Sequence, residues 1–516
     1  MRFGAWMTLA VALSFAAPES AAAKPQRYPG AVPCDTKLQR CIDKSPKGTK
    51  IRIAKNAAIK EALTIRKSVS LQPAGGFHPV IGSTTDELDL DVGQRGSRKV
   101  KVAFRKIEFR NIEIIVDFDG GSGHRFTLED STIANPLGDS SGVDVSALQP
   151  GRIAIQNNEL ATKGAPIDVD AAPAAGELAV TIANNRVTTS DVPAGVDTND
   201  SASGIDLFVG GTGQAEVDIY SNLVYGVAGC NCGGAAGIEI SGDAADGTVN
   251  VVGNTSDDAQ FASSGLEVND GDPGSLTVNI FDNIISNASE AVVDLPSIAD
   301  PGLTITHDFN DAYDPGDPAN YGDYPPGPNS DAEDPLFVNA AAADYRLQSG
   351  SPQKQQGLVC PPGGQSATDL AGNDRVERVL GQGAFVTPGA FGFASSPPDG
   401  SLFLGSELAD DLDGGAVSEV FCTYGGDDTV TGGGGGDVVF GGLGGDEVGG
   451  DAGDDYIYGE AGQDVIDGGT GSDYLSGGDD FDVIEAHDGI EGNDVLDGGG
   501  GVDSCNPDPS DLFTNC

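Results

Sequence analysis

From Gly405 to Glu485 the chain repeats a nine-residue unit without interruption. Its centre runs GGGGGDVVF (432–440), GGLGGDEVG (441–449), GDAGDDYIY (450–458), GEAGQDVID (459–467) and GGTGSDYLS (468–476). The sixth position is Asp428, Asp437, Asp446, Asp455, Asp464, Asp473 and Asp482, and the eighth is apolar from Val430 to Ile484. A unit this short cannot bury an apolar face alone, so it must stack on copies of itself. Glycine permits the tight turns, the apolar residue points inward, and the stacked aspartates face one another. Oxygen ligands repeated in this way suit a hard cation, and the repeat predicts a parallel β-roll that folds around several calcium ions.

Charge supports that reading. The formal net charge is −51 over 516 residues, most of the 28 basic residues precede Arg110, and none follows Arg378. So large an acidic excess argues against nucleic acid and anionic membranes as partners. It also leaves the C-terminal region in need of cations to become compact. At the other end, Arg2, the apolar stretch Trp6 to Ala17 and the small residues Ala21-Ala22-Ala23 read as a signal peptide over 1–23, so a secreted, extracellular protein is expected. No other run is apolar enough to cross a bilayer. Eight cysteines fit an oxidising destination. Neighbours in sequence suggest Cys34 with Cys41 and Cys505 with Cys516, while Cys360 and Cys422 can staple two regions; Cys230-Asn231-Cys232 is left for a local role.

A looser repeat occupies residues 99 to 295. Short strands with an acidic residue, GVDV (142–145), PIDV (166–169), GIDL (204–207), GIEI (237–240), GLEV (265–268) and VVDL (292–295), alternate with strands ending in Asn158, Asn185, Asn222, Asn254 and Asn283. Period-two alternation marks β-strands, and a repeat of this length marks one turn of a solenoid. The recurring asparagines fit a sharp corner, because Asn tolerates the left-handed conformation and its amide can bond along the axis; Asn111 is a candidate first member. The fold expected is all-β: a right-handed parallel β-helix over 51–393 behind an N-terminal cap at 24–50, a linker at 394–400, the β-roll at 401–506 and a tail at 507–516.

Two sets of motifs carry resemblances. The early Cys-x6-Cys with the strands after it, DPLFVN…DYRLQSGSP (334–352) and DLAGN…PGAFGF (369–393) resemble exported bacterial β-helix proteins of the pectin-lyase-like superfamily, in the choice-of-anchor group. That likeness implies that the last two segments complete and cap the final coils. Residues 401–506 resemble the hemolysin-type (RTX) calcium-binding repeats. In those, two units make one coil, which would set Asp428, Asp446, Asp464 and Asp482 along one edge and Asp437, Asp455 and Asp473 along the other. Glu419 replaces Asp in the unit at 414–422, and Ala486-His487-Asp488 interrupts the register, so Asp410, Asp494 and Asp503 are expected to be weaker ligands.

The acidic strands raise a second candidate. In register, Asp144, Asp168, Asp206, Glu239, Glu267 and Asp294 would stack about 4.8 Å apart and raise one another's pKa values. Alternation alone generates such a column as a solvated face; functionally it would be a calcium-assisted polysaccharide groove. A uronate lyase or epimerase needs a basic group for the C5 proton, yet no Lys or Arg falls between Arg186 and Arg346. His78, His124, His307 and His487 show no metal spacing. Two function classes follow. One is a secreted calcium-binding protein whose β-helix contacts an extracellular polysaccharide or cell surface. The other is a polysaccharide lyase or epimerase acting through the acidic column.

Overall fold

A computed structural model describes residues 24–93, 99–135, 141–189, 203–227, 235–243, 246–257, 263–270, 274–288, 293–296, 302–314, 325–348, pieces of 350–390, and 402–516 apart from 407 and 491. The segments expected as signal peptide (1–23) and linker (394–400), and Cys230-Asn231-Cys232, fall outside the described residues. The described residues are nearly all β, with one short α-helix at Leu38–Lys44 and a single 3-10 turn at Ala340–Ala342. Its N-terminal part is a parallel β-helix of three sheets. Sheet A runs from the strand Gln26–Tyr28 to Leu303–Asp308, sheet B from Val80–Gly82 to Asp311–Tyr313, and sheet C from Leu63–Ile65 to Val293–Asp294.

One coil shows how sequence makes this shape. Gly151–Gln156 lies in sheet A, Glu159–Thr162 in B and Ile167–Ala171 in C. In each, alternate side chains turn inward, and Ile153, Ile155, Leu160, Ile167 and Val169 are fully buried. Stacking repeats the choice in register: Ile153 meets Phe126 and Val180, and Val169 meets Val145 and Leu207. The coil therefore has three strands where sequence reading finds two. The sheet B strands escape it because they are three or four residues long, and in Ile284–Ser286 every residue is buried, which erases the alternation.

The asparagines sit at the corner between sheets A and B. Backbone N–H and side-chain Nδ2 of Asn158 both donate to Asn185 Oδ1 at 3.0 Å, and Asn185, Asn222, Asn254 and Asn283 repeat the pattern onto the next member, ending at Asn310. Serines close both ends: Ser131 N–H donates to Asn158 Oδ1, and Asn310 N–H donates to Ser330 Oγ. The left-handed residue is the one before each ladder member: Asn157 (φ 57°), Asn184 (54°), Ser221 (56°) and Asp282 (58°). The ladder asparagines are chosen for their amides, and the residue before each of them makes the turn. Asn111 is no ladder member. It stands at the corner between sheets B and C, is itself left-handed (φ 48°), and donates to Ser83 O.

At the N-terminal end, Leu38, Cys41 and Ile42 of the helix join the core, Cys34 is bonded to Cys41, and Glu61 accepts the N–H groups of Leu38 and Gln39. After Asp311–Tyr313 the pairing changes. Phe337–Asn339 with Asp344–Leu347, and Val376–Val379 with Gly383–Val386, are antiparallel hairpins. Instead of extending the coils, this segment lies back along sheet B: Tyr345 and Ala390 pack with Leu223, and Arg186 Nη2 donates to Ala343 O at 3.0 Å.

The C-terminal part is a β-roll of two parallel sheets. One carries the strands from Leu402–Ser406 to Leu512–Thr514, the other those from Asp411–Asp413 to Ser504–Pro507. Its interior is a single file of buried Phe421, Val430, Val439, Val448, Ile457, Ile466, Leu475, Ile484 and Leu496. Disulfides join Cys360 to Cys422 and Cys505 to Cys516.

Candidate metal centre

Each turn of the roll places its sixth-position aspartate under the turn of the neighbouring coil. Oδ1 of Asp446 accepts the N–H of Asp428 at 2.8 Å, Oδ1 of Asp464 that of Asp446 at 2.9 Å, and Oδ1 of Asp482 that of Asp464 at 2.9 Å. Along the other edge, Asp437, Asp455 and Asp473 accept from Glu419, Asp437 and Asp455 at 2.7, 2.6 and 2.9 Å. Asp428 accepts from Asp410 at 2.7 Å. The seven predicted residues thus form two columns, and all of them are buried.

In four of these carboxylates only Oδ1 is occupied this way. In Asp446, Asp464, Asp473 and Asp482, Oδ2 is buried and accepts no hydrogen bond from a described residue. The space it faces is ringed by oxygen. A Cβ added to Gly441 would lie 2.6 Å from Asp446 Oδ2 and 2.9 Å from the Gly459 carbonyl; at Gly459 the distances are 2.4 Å to Asp464 Oδ2 and 2.6 Å to the Gly477 carbonyl. These cradles require glycine in the first position. They join carboxylate oxygens to backbone carbonyls, the donor set of a hard divalent cation. Among the described residues no three acidic or imidazole side chains converge as a metal cluster, and backbone oxygens have to complete each site.

Electrostatics make the same demand. Burial first, then the stacked like charges, push Asp446 and Asp473 up to about 7 and Asp464 up to about 6. No lysine or arginine follows Arg378 to neutralise them. An uncompensated buried carboxylate costs several kcal/mol, so at neutral pH the columns need bound cations. Calcium fits these residues: Oδ2 of the aspartates and the glycine carbonyls would hold it, and it would supply the missing positive charge.

The interruption after Glu485 does not end the columns. Asp494 accepts from Asp473 at 2.8 Å and Asp503 from Asp482 at 3.0 Å, with three extra residues in the connection. Asp511, which sequence reading missed, receives the N–H groups of Gly492 and Asn493 at 2.9 and 3.2 Å. Glu419 bends back to accept from Gly415 N–H at 2.7 Å.

The acidic column of sheet C is also in register, Asp144 through Asp168, Asp206, Glu239 and Glu267 to Asp294. Burial, then neighbouring carboxylates, raise Asp168 to about 7 and Asp206 to about 6; Asp144 and Glu267 are raised for the same first cause. Glu239 is held by Ser203 Oγ at 2.5 Å and Asn269 Nδ2 at 3.1 Å. His124 is structural: it is buried, stacks on Phe118, and its ring contacts Gly120 O at 2.7 Å.

The model of the RTX calcium-binding nonapeptide repeat, in four copies, matches residues 423–448, 449–484 and 488–508. The C-terminal region is an RTX calcium-binding array. No curated protein matches the chain. Among solved structures, the crystal structure of pectate lyase Pel9A aligns at 12% identity and a TM-score of 0.33, covering 69% of this chain and 96% of that one. Among the described residues no helix is long and apolar enough to cross a membrane.

Proposed function

We propose that this is a secreted protein that binds an extracellular polysaccharide or cell surface through its β-helix, with an RTX roll that folds on calcium after export. The metal ligands in this reading are Asp428, Asp437, Asp446, Asp455, Asp464, Asp473 and Asp482. The observation that carries it is the pair of buried carboxylate columns whose outer oxygens face glycine-lined cradles. A region with one inward apolar residue per nine has too little core to hold such charges without ions. In calcium-poor cytosol it would stay unfolded, and outside the cell it would fold. The β-helix offers three long parallel sheets, which suits adhesion.

The test is retention of the purified chain on a panel of insoluble and immobilised polysaccharides, with calcium and with chelator. Selective, calcium-dependent retention is expected; no retention on any glycan or cell envelope would refute the reading. A lyase or epimerase working through sheet C is the second reading, favoured by the half-buried, in-register acidic column. It predicts ultraviolet-absorbing unsaturated uronate, or altered uronate composition, from alginate or pectate.

A further inference from the structure

Where the chain leaves sheet B it buries a carboxylate in a position that neighbouring coils fill with Leu, Thr or Ile. The outward column of that sheet runs Leu223, Thr255, Ile284 and Asp311 in register. The returning segment covers it: Ala390 packs on Leu223, and its N–H donates to Thr255 Oγ1 at 2.8 Å. Asp311, at the end of the column, is 0% exposed. Neither of its carboxylate oxygens accepts a hydrogen bond from a described residue. An apolar side chain would suit the position, whereas an uncompensated buried carboxylate is among the costliest groups a fold can hold.

Opposite it stands a second carboxylate. Asp331 forms a parallel bridge with Asp311: Ala312 N–H donates to Asp331 O at 3.0 Å, and Asp331 N–H to Asn310 O at 2.9 Å. Its Oδ1 accepts from Nε2 of the buried Gln353 at 2.9 Å and from Glu333 N–H at 3.5 Å, which holds the carboxylate in place. The carboxyls of Asp311 and Asp331 face each other within hydrogen-bonding range, and the exposed Glu333 and Asp334 add charge of the same sign. Among the described residues no Lys, Arg or His forms an ion pair with either. Burial first, and then Asp331, pushes Asp311 up to about 10.

Either a proton or a cation has to lie between the two. A proton would be held against neutral solvent, whereas a divalent ion bonds both carboxylates in their ionised form. Ligand oxygens on neighbouring corners of a calcium shell, each about 2.3–2.6 Å from the ion, stand about 3 Å apart, the spacing of facing carboxyls. Glu333 and Asp334 mark the solvent side from which a cation is drawn in. No third acidic or imidazole side chain converges among the described residues, so backbone oxygens and water complete the shell. We infer that the last coil of the β-helix holds a calcium ion of its own, outside the RTX array, with Asp311 and Asp331 as its carboxylate ligands. The ion ties the strand that ends sheet B to the chain returning over it. The inference does not depend on glycan binding.

The test uses the full chain at pH 7, in calcium and in chelator, with residue-resolved hydrogen exchange and equilibrium dialysis. In the unaltered protein the Ala312 and Asp331 amides are expected to exchange about tenfold or more slowly in calcium. Asp311→Asn should abolish that difference and lower the bound calcium by about one ion, while the Asp464 amide of the roll still responds to calcium. Ala312 and Asp331 amides that ignore calcium in the unaltered chain overturn the inference; protection that persists in chelator and falls only in alkali assigns a shared proton instead. A calcium response that survives Asp311→Asn also overturns it, because the effect then reaches the coil through the roll and the Cys360–Cys422 bond. An unchanged count of bound ions does the same. Should Asp311→Asn unfold the helix, seen as lost protection at Ile153, Asp331→Asn carries the same readouts at a half-buried side chain.

Discussion

Replacing Asn222 with alanine should be among the most damaging single changes in the β-helix. Its side chain is fully buried at the middle of the ladder. Oδ1 accepts both the N–H and the Nδ2 of Asn185 at 3.0 Å, while Nδ2 donates to Ile182 O at 2.8 Å and Asn254 Oδ1 at 3.0 Å. Four hydrogen bonds disappear, and the Asn185 N–H is left without its acceptor where water does not reach, while the Ile182 carbonyl keeps its place in the pairing of sheet A. With about 0.5–1.5 kcal/mol per bond and about 1–3 kcal/mol for the stranded group, a loss of about 3–5 kcal/mol is expected, allowing for relaxation. Urea unfolding followed by far-ultraviolet circular dichroism measures it. Hydrogen exchange adds a local readout, since the Asn185 amide should lose its protection while amides at the N-terminal end keep theirs. A loss under about 1 kcal/mol with Asn185 still protected would show that the ladder is incidental to stability. Asn222→Asp keeps the acceptor but sets a carboxylate against two acceptors, so it should recover stability as pH falls and the carboxyl protonates.

Four shorter predictions follow from the same geometry. Gly450→Ala would place a Cβ 2.5 Å from Asp455 Oδ2 and 2.6 Å from the Gly468 carbonyl, so it should raise the calcium midpoint several-fold. Gly434→Ala, whose Cβ would meet nothing nearer than 3.7 Å, should stay within about 0.5 kcal/mol of the unaltered protein; calcium titration of both variants checks the pair. Asp168, raised to about 7, binds its proton more tightly folded than unfolded, so its contribution is full below the unfolded pKa near 4 and is lost as pH rises to 7. Asp168→Asn should therefore gain about 1–2 kcal/mol over the unaltered chain at pH 8, after solvent screening, and nothing at pH 4, as read from urea midpoints. Removing the Cys360–Cys422 bond by double Ser substitution opens a closure of 62 residues and should lower stability in calcium by up to about 4 kcal/mol, visible as an earlier melting transition.

Much of this molecule is written in its periods. A repeat of nine with fixed Asp and Gly allows one stacking, so the β-roll and its two aspartate columns follow directly. The acidic column of sheet C was equally legible, since one-residue slips would turn Val145 and Val169 outward. What escaped was short or displaced. The sheet B strands carry too few residues to show a period. The left-handed corner residues are chemically mixed (Asn157, Ser221, Asp282), so the eye falls on their constant neighbour. Asp494 and Asp503 keep their places because a three-residue excess is taken up in the turn and not in the strands. The pairing of Asp311 with Asp331 was hidden in a stretch rich in aspartate: the two are apart in sequence and adjacent only once the chain returns to the last coil.

Calcium titration of the full chain at pH 7, followed by residue-resolved hydrogen exchange, bears most directly on the central claim. Without calcium, amides of the β-helix such as those of Ile153 and Val180 should be protected, while those of Asp446, Asp464 and Asp473 exchange freely. Adding calcium should protect the second group cooperatively and increase the β-signal in circular dichroism. Full protection of the RTX amides in chelator at pH 7 would contradict the account, because those buried carboxylates would then be stable with no cation to compensate them.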